Sequence, residues 1–256
     1  MTSIPALPAG WQPATGCLKD KVILVTGAGA GIGRACALAF ARHGATVLLL
    51  GRTQEKLADV YDEIKASGGA EPALIPLNLA VATPNDFGQL AAMLEKEFGR
   101  LDGLLHCAAM LGDITPLEIA APDTWQQVLQ VNLTAPVFLT QAMLPLLKLA
   151  PASSVVFTSS SVGRKGRAFW GAYAVSKAGT ESVTQILADE LEHTGKVRIN
   201  AVNPGATRTA MRAAAYPAEN AQTVTPPDAV VPLFLWLMSD DSRGANGQSF
   251  DAQPRV

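Results

Sequence analysis

Tyr173 and Lys177 stand four residues apart in a run that reads as a helix, with Ser160 thirteen residues before the tyrosine. Four residues is about one helical turn, so the phenol and the ammonium leave the same face. A cation beside a phenol favours the phenolate and draws down a pKa that otherwise lies near ~10. A hydroxyl close by holds a carbonyl or alcohol oxygen in place for that proton. The trio therefore suits acid/base chemistry at such an oxygen. Tyr-x-x-x-Lys alone is more often a solvated helix face, and its weight here comes from its surroundings.

Those surroundings begin near the N-terminus. Val22-Ile23-Leu24-Val25 is a short apolar run followed by Thr26-Gly27-Ala28-Gly29-Ala30-Gly31-Ile32-Gly33, then by a stretch rich in Ala and Leu up to His43. Strand, glycine turn and helix follow one another as a phosphate cradle requires. Gly27 permits the sharp exit from the strand and Gly31 the close approach of backbone to a pyrophosphate. Gly33 lets the helix pack on the sheet, and the first-turn N–H groups around Ile32 face the anion. A glycine-rich turn with no ligand is the competing reading.

The elements that must hold these residues alternate. Strand-like runs fall at about 22–26, 46–50, 73–78, 102–107, 154–159, 197–202 and 248–251, with helical stretches near 31–43, 53–66, 83–98, 122–149, 171–193 and 227–239. Continuous runs such as Val47-Leu48-Leu49-Leu50 indicate strands buried on both faces, hence a parallel sheet. The expected fold is α/β: a doubly wound (Rossmann) seven-stranded parallel sheet with helices on both faces. Ligands of such sheets bind beyond the carboxyl ends of the strands.

Composition agrees with that picture. The 256 residues, 48% hydrophobic and 16% charged, suit one compact domain over 21–256 preceded by an extended arm, 1–20, carrying Pro5, Pro8, Trp11 and Pro13. A net charge of −2 argues against a nucleic-acid partner. Cys17, Cys36 and Cys107 lack metal or paired spacing and read as free thiols in a reducing compartment. His106 and His193 read as structural, with no metal site expected. Residues 230–238 are too short for a membrane span and contain Pro232, so the expected setting is cytoplasmic.

The spacing Gly27-x-x-x-Gly31-x-Gly33, followed by Asn132, Ser160, Tyr173 and Lys177, resembles the short-chain dehydrogenase/reductase family from about Lys21 to Asp251. Thr158-Ser159-Ser160-Ser161-Val162-Gly163-Arg164, Asn203-Pro204-Gly205 and Phe250-Asp251-Ala252-Gln253-Pro254 look like its YciK-type oxidoreductases. The resemblance implies hydride transfer between a nicotinamide cofactor and a small carbonyl or alcohol. Tyr173 is then the general acid/base, Lys177 holds the nicotinamide ribose, and Ser160 steadies the substrate oxygen. Ser159 and Ser161 stay open on composition, and family spacing selects Ser160.

Further expectations follow from the same resemblance. Asn78 and Leu79 lie along the adenine, and Ala108, in Cys107-Ala108-Ala109 where the family usually has Asn-Ala-Gly, lies beside the ribose. Gly205, Thr207 and Thr209 approach the nicotinamide and phosphates. Gly51-Arg52 ends the second strand where an NAD enzyme places a carboxylate, so Arg52 predicts a preference for NADP(H) over NAD(H). Against it, Gly29 stands where many NADP-preferring relatives carry a basic residue. Asn132 precedes Pro136 by four residues, which predicts a bend at Asn132. Its freed carbonyl would hold a water next to Lys177, the relay the family assigns to this Asn.

A lid is expected at about 207–227, with Ala210 to Pro227 irregular. Arg164, Lys165, Arg167, Arg208 and Arg212 could line an anion-attracting mouth, although a solvated loop is the more ordinary reading. Phe169 and Trp170 form an apolar wall or a subunit contact. A homodimer or homotetramer through the helices near 122–149 and 171–193 is the family's usual arrangement, with Ala252-Gln253 replacing its C-terminal glycine pair. A nucleotide-binding regulator without turnover is the alternative, and a nucleotide-sugar epimerase or dehydratase a remoter one.

Overall fold

The computed structural model describes residues 5–253; Met1–Ile4 of the arm and Pro254 of the C-terminal motif lie outside it. Seven strands form one parallel sheet in the order β3-β2-β1-β4-β5-β6-β7. They are β1 Val22–Thr26, β2 Thr46–Gly51, β3 Ala73–Pro76, β4 Gly103–His106, β5 Ser153–Thr158, β6 Val197–Asn203 and β7 Ser249–Asp251. The helices are α1 Gly31–Arg42, α2 Gln54–Ala66, α3 Pro84–Phe98, α4 Pro122–Leu129, α5 Ala135–Leu149, α6 Ser161–Arg164, α7 Gly171–Glu192, α8 Ala210–Ala215 and α9 Pro227–Met238. The sequence-based sheet and its doubly wound order are thus observed.

Alternation along each strand divides the core into two layers. Ile23, Val25, Val47 and Leu49 pack with α1, α2 and α9, centred on Phe40 and Phe234. Leu24, Leu48 and Leu50 face the opposite way, onto α3, α5 and α7 around Phe87, Leu139 and Met143. Burial on both faces explains why these strands are uninterrupted Val/Ile/Leu runs. Strand order reverses between β1 and β4, and the crevice outside their carboxyl ends is where such sheets bind ligands.

The arm is tied down. Leu7, Trp11, Cys17 and Leu18 pack on the α1/α9 layer, and the Trp11 indole donates to Asp241 at 2.8 Å. No helix among the described residues is long and apolar enough to cross a membrane.

Two expectations are corrected. The 122–149 stretch is helical throughout as expected, but not α-helical throughout: α4 ends at Leu129, residues Gln130–Thr134 make a π-helical turn around Asn132, and α5 follows. The Ala135 N–H reaches back to the Gln130 carbonyl, and Pro136 in the first turn of α5 has no N–H for the Asn132 carbonyl. The stretch after Thr209 is not wholly irregular either, because Thr209 Oγ1 accepts from Arg212 N and starts α8. That cap was missed because α8 has only six residues and no apolar periodicity.

α3 enters the core layer through a complete capping box. Thr83 Oγ1 accepts from Asp86 N, Asp86 returns a carboxylate to Thr83 N at 2.8 Å, and Gly99 closes the helix with φ +73°. Replacing Thr83 with Ala is expected to lower stability by about 1 kcal/mol, read as a lower urea midpoint at unchanged slope.

Candidate active site

The glycine turn is crowded where it must be. A Cβ at position 27 would fall 2.8 Å from Ala108 N, and one at 33 would fall 2.4 Å from Gly27 O. Gly27 and Gly31 adopt φ +69° and +55°, a region costly for side chains. No side chain caps α1, whose N-cap is Ala30, so its first turn keeps backbone donors for an anion. The turn therefore fits a dinucleotide's pyrophosphate. Ile32 is half-buried against the α1/α9 layer, and Ala108 N is held by Thr26 Oγ1 at 3.1 Å. Thr26 Oγ1 also takes Cys107 N, so this hydroxyl braces the end of β4.

At the end of β2, Arg52 is exposed and Thr53 caps α2 without using its side chain. A Cβ at Gly29 would meet the Lys56 Cβ at 2.9 Å. A larger residue at 29 would collide with α2, and the cation missing from the turn stands on α2 instead. Sequence spacing alone gave no signal for Lys56. Asn78 is exposed and its Oδ1 closes a turn onto Ala80 N, while Leu79 is buried and its carbonyl accepts from Gln130.

Ser160, Tyr173 and Lys177 come together at the end of β5. Lys177 is only 3% exposed; its Nζ lies 5.6 Å from the Tyr173 ring centroid and donates to the Thr158 carbonyl at 2.7 Å. α6 packs backbone to backbone on α7, since a Cβ at Gly163 would fall 2.6 Å from the Lys177 carbonyl carbon. Ser160 caps α6 without a side-chain bond, leaving its hydroxyl to the cleft. Ser159 is buried and donates to Glu181, and Ser161 is exposed.

The expected lowering of the tyrosine pKa is corrected. Burial pushes the Tyr173 phenol up to about 12, and a hydrogen bond with Ser160 draws it only partly back. Burial likewise brings the Lys177 ammonium down to about 8. Loss of hydration outweighs attraction between the two, because the ammonium is aimed at a carbonyl rather than at the phenolic oxygen. Cys107, raised to about 11 by burial, and His106, stacked on Phe157 and bonded to Thr140, read as packing groups.

Asn132 lies in the π-helical turn with its amide fully engaged. It accepts from Met110 N at 2.7 Å and donates to Met110 O at 2.8 Å and Ser176 Oγ at 3.1 Å. The amide thus pins the loop after β4 to α7, a bracing role the sequence did not reveal. Thr207 is buried with its hydroxyl turned to the Pro204 and Gly205 carbonyls, and the Thr209 methyl covers Gly31.

The anion-attracting mouth is not assembled. Arg164 turns away into Glu181, Asp251 and Ser249, and Arg212 pairs with Glu219 while lying 3.7 Å from the Tyr216 ring centroid. Arg167 bonds the Tyr216 hydroxyl, and Lys165 and Arg208 are exposed. Trp170 sits 5.7 Å from the Tyr173 ring and 6.0 Å from that of Tyr216, so the cleft wall is aromatic. Phe169 is exposed.

A glycine phosphate cradle at the switch point, with a tyrosine, lysine and serine over it, defines a dinucleotide-dependent oxidoreductase site. A family model described as short chain dehydrogenase matches residues 21–220. The Escherichia coli K12 oxidoreductase YciK is 52% identical over 244 residues, covering 95% of this chain and 96% of that protein. A short chain dehydrogenase structure from Shigella flexneri 2a complexed with NADP superimposes with a TM-score of 0.92 at 51% identity, covering 94% of this chain and all of that one. One from Escherichia coli CFT073 complexed with NADPH gives 0.92 at 52% identity over the same shares. The chain belongs to the short-chain dehydrogenase/reductase family of oxidoreductases, and its likeness to YciK runs nearly end to end.

Replacing Asn132 with Leu would strand the Met110 backbone groups it satisfies. The expected cost is roughly 2–4 kcal/mol of unfolding free energy by denaturant titration, with faster hydrogen exchange in 108–113.

Proposed function

We propose that this protein interconverts a carbonyl and an alcohol with NADP(H), Tyr173 exchanging the proton on the substrate oxygen. The observation that carries the reading is the half-buried Tyr173 phenol, kept protonated by desolvation, hydrogen-bonded to Ser160 and beside the buried Lys177 ammonium, at the end of β5 two strands from the glycine turn. NADPH, when bound, would supply the hydride for the carbonyl carbon, and Tyr173 the proton for its oxygen. A phenol near 12 keeps that proton at neutral pH and gives it up only to the stronger alkoxide base, which favours a general-acid role in reduction. Lys177, near 8, is acidic enough to restore the phenol downhill once its Nζ turns from the Thr158 carbonyl to the phenolic oxygen. Its own proton returns through a water on the Asn132 carbonyl, since the Asn132 amide is engaged elsewhere. Ser160 donates to the developing oxyanion.

Gly27, Gly31, Ile32 and Gly33 would hold the pyrophosphate, Asn78 and Leu79 the adenine side, and Ala108 the ribose. Tyr173 and Lys177 would bind the nicotinamide ribose, and Gly205, Thr207 through its backbone, and Thr209 the far end. Arg52, with Lys56 beside Gly29, would pair with the 2′-phosphate, and no carboxylate at 51–53 opposes it. The NADP and NADPH in two relatives about half identical support that preference. Residues from 21 onward act as one catalytic unit behind the arm, with 207–227 as lid. Exposed Phe138, Leu149, Val175 and Ile186 on α5 and α7 support a homodimer or homotetramer through those helices. Three free thiols suit the cytoplasm.

Following absorbance with a panel of aldehydes and ketones, the wild-type protein should consume NADPH faster than NADH. Tyr173→Phe should lose about 10²–10⁴-fold in kcat while still binding NADPH, with a much smaller change in affinity. Wild-type turnover by that variant, or equal use of both nucleotides, would remove the corresponding half of the proposal.

The Lys177 shift gives a second test. The free protein loses that charge near pH 8, and ribose hydroxyls accepting from the ammonium would favour its charged form, so its pKa rises on binding. NADPH affinity is therefore fully present below about pH 8 and falls as pH rises above it, by up to about tenfold per unit. Fluorescence titrations of Lys177→Met should show weaker but pH-independent binding in that range.

A further inference from the structure

Beyond β7 one side chain reaches both ends of the lid. Gln253 Nε2 donates to Pro204 O at 2.7 Å and Ala206 O at 2.9 Å, just before the lid begins. Its Oε1 accepts from Thr225 Oγ1 at 2.7 Å, just before α9 ends the lid. Both amide protons face carbonyls and the oxygen faces a hydroxyl, so the amide has a single satisfied orientation. Gly205, at φ +72°, makes room: a Cβ there would fall 3.0 Å from Nε2.

The two lid ends also meet directly. Thr207 and Thr225 form a parallel bridge, and Arg208 N donates to Thr225 O at 2.8 Å. Below them the clamp is anchored to the sheet, where Ala252 N donates to Asn203 O at 3.0 Å and Asn203 Nδ2 to Asp251 at 2.8 Å. Above them the lid lies on the phosphate turn, with the Thr209 methyl 3.2 Å from where a Gly31 Cβ would be. Where the lid starts is thus fixed from the C-terminal strand.

We propose that Gln253 is a positioning residue that clamps both ends of 207–227 to the Pro204–Gly205 turn, so that the lid moves as one hinged loop and holds the cofactor. The inference rests on the NADP(H) reading above. With the clamp intact, the lid opens only by rotating about joined ends. Without it the ends separate, and Thr209 leaves Gly31 more often.

The test compares wild type with Gln253→Ala, Gln253→Glu, Thr225→Val and the Gln253→Ala/Thr225→Val double variant. NADPH dissociation is measured by stopped-flow fluorescence with NADP⁺ as competitor, and backbone hydrogen exchange is measured without nucleotide. Gln253→Ala should release NADPH about tenfold faster, with exchange accelerated in 207–227 and unchanged in β1, β4 and α7. Gln253→Glu keeps the acceptor for Thr225 but sets oxygen against two carbonyls, so it should be no better than the alanine. Thr225→Val should have a smaller effect, and the double variant should fall short of the sum. Wild-type release and exchange in Gln253→Ala would overturn the clamp, as would faster exchange spread over the whole chain. If wild-type protein fails to bind NADPH, the cofactor reading falls and lid exchange alone decides the clamp.

Discussion

An ammonium removed from water must find a partner, and Lys177 finds the last carbonyl of β5. Much of the site depends on that one bond. It fixes α7 against the sheet at Thr158, two residues before Ser160 and four residues after Tyr173 on the helix. Thr158 Oγ1 touches Cys107 Sγ at 3.2 Å, and the Cys107 and Ala108 N–H groups rest on Thr26, beside Gly27. An unbroken line of contacts therefore runs from the lysine to the glycine turn across three adjacent strands. The proton-handling groups and the phosphate cradle keep their spacing because they share it.

Burial also sets the chemistry of the pair. Placed side by side in water, a lysine would help a tyrosine ionise. Here both are pressed towards their neutral forms, the phenol near 12 and the lysine ammonium near 8. Desolvation wins because the charge is directed away from the phenolic oxygen. The result is a weakly acidic phenol with a more acidic ammonium beside it.

The basic residues near the cleft show how charge can be diverted. Arg164 bridges Glu181 on α7 and Asp251 on β7, joining α6, α7 and β7 behind Ser160. Arg212 is held by Glu219 and lies over Tyr216, giving the segment after Thr209 its own internal frame. With these two cations paired, the face presented by Trp170, Tyr173 and Tyr216 is aromatic rather than anion-seeking.

The alternation of strands and helices, the glycine turn and the Tyr-x-x-x-Lys spacing were legible because each depends on near neighbours in the chain. Apolar runs buried on both faces allow little besides a parallel sheet, and a turn with Gly27, Gly31 and Gly33 allows the close approaches seen. The π-helical turn at Asn132 was half legible: Pro136 announced a missing bond, but not that the backbone would widen into a π turn there. The six-residue α8, the place of Lys56 beside Gly29, the paired arginines and the grip of Gln253 on residues up to 49 positions away left no local pattern. Local stereochemistry, written in the sequence, chose the elements and their order. Partners and proton affinities were decided by the tertiary structure, because they depend on which distant groups meet and how much water is excluded.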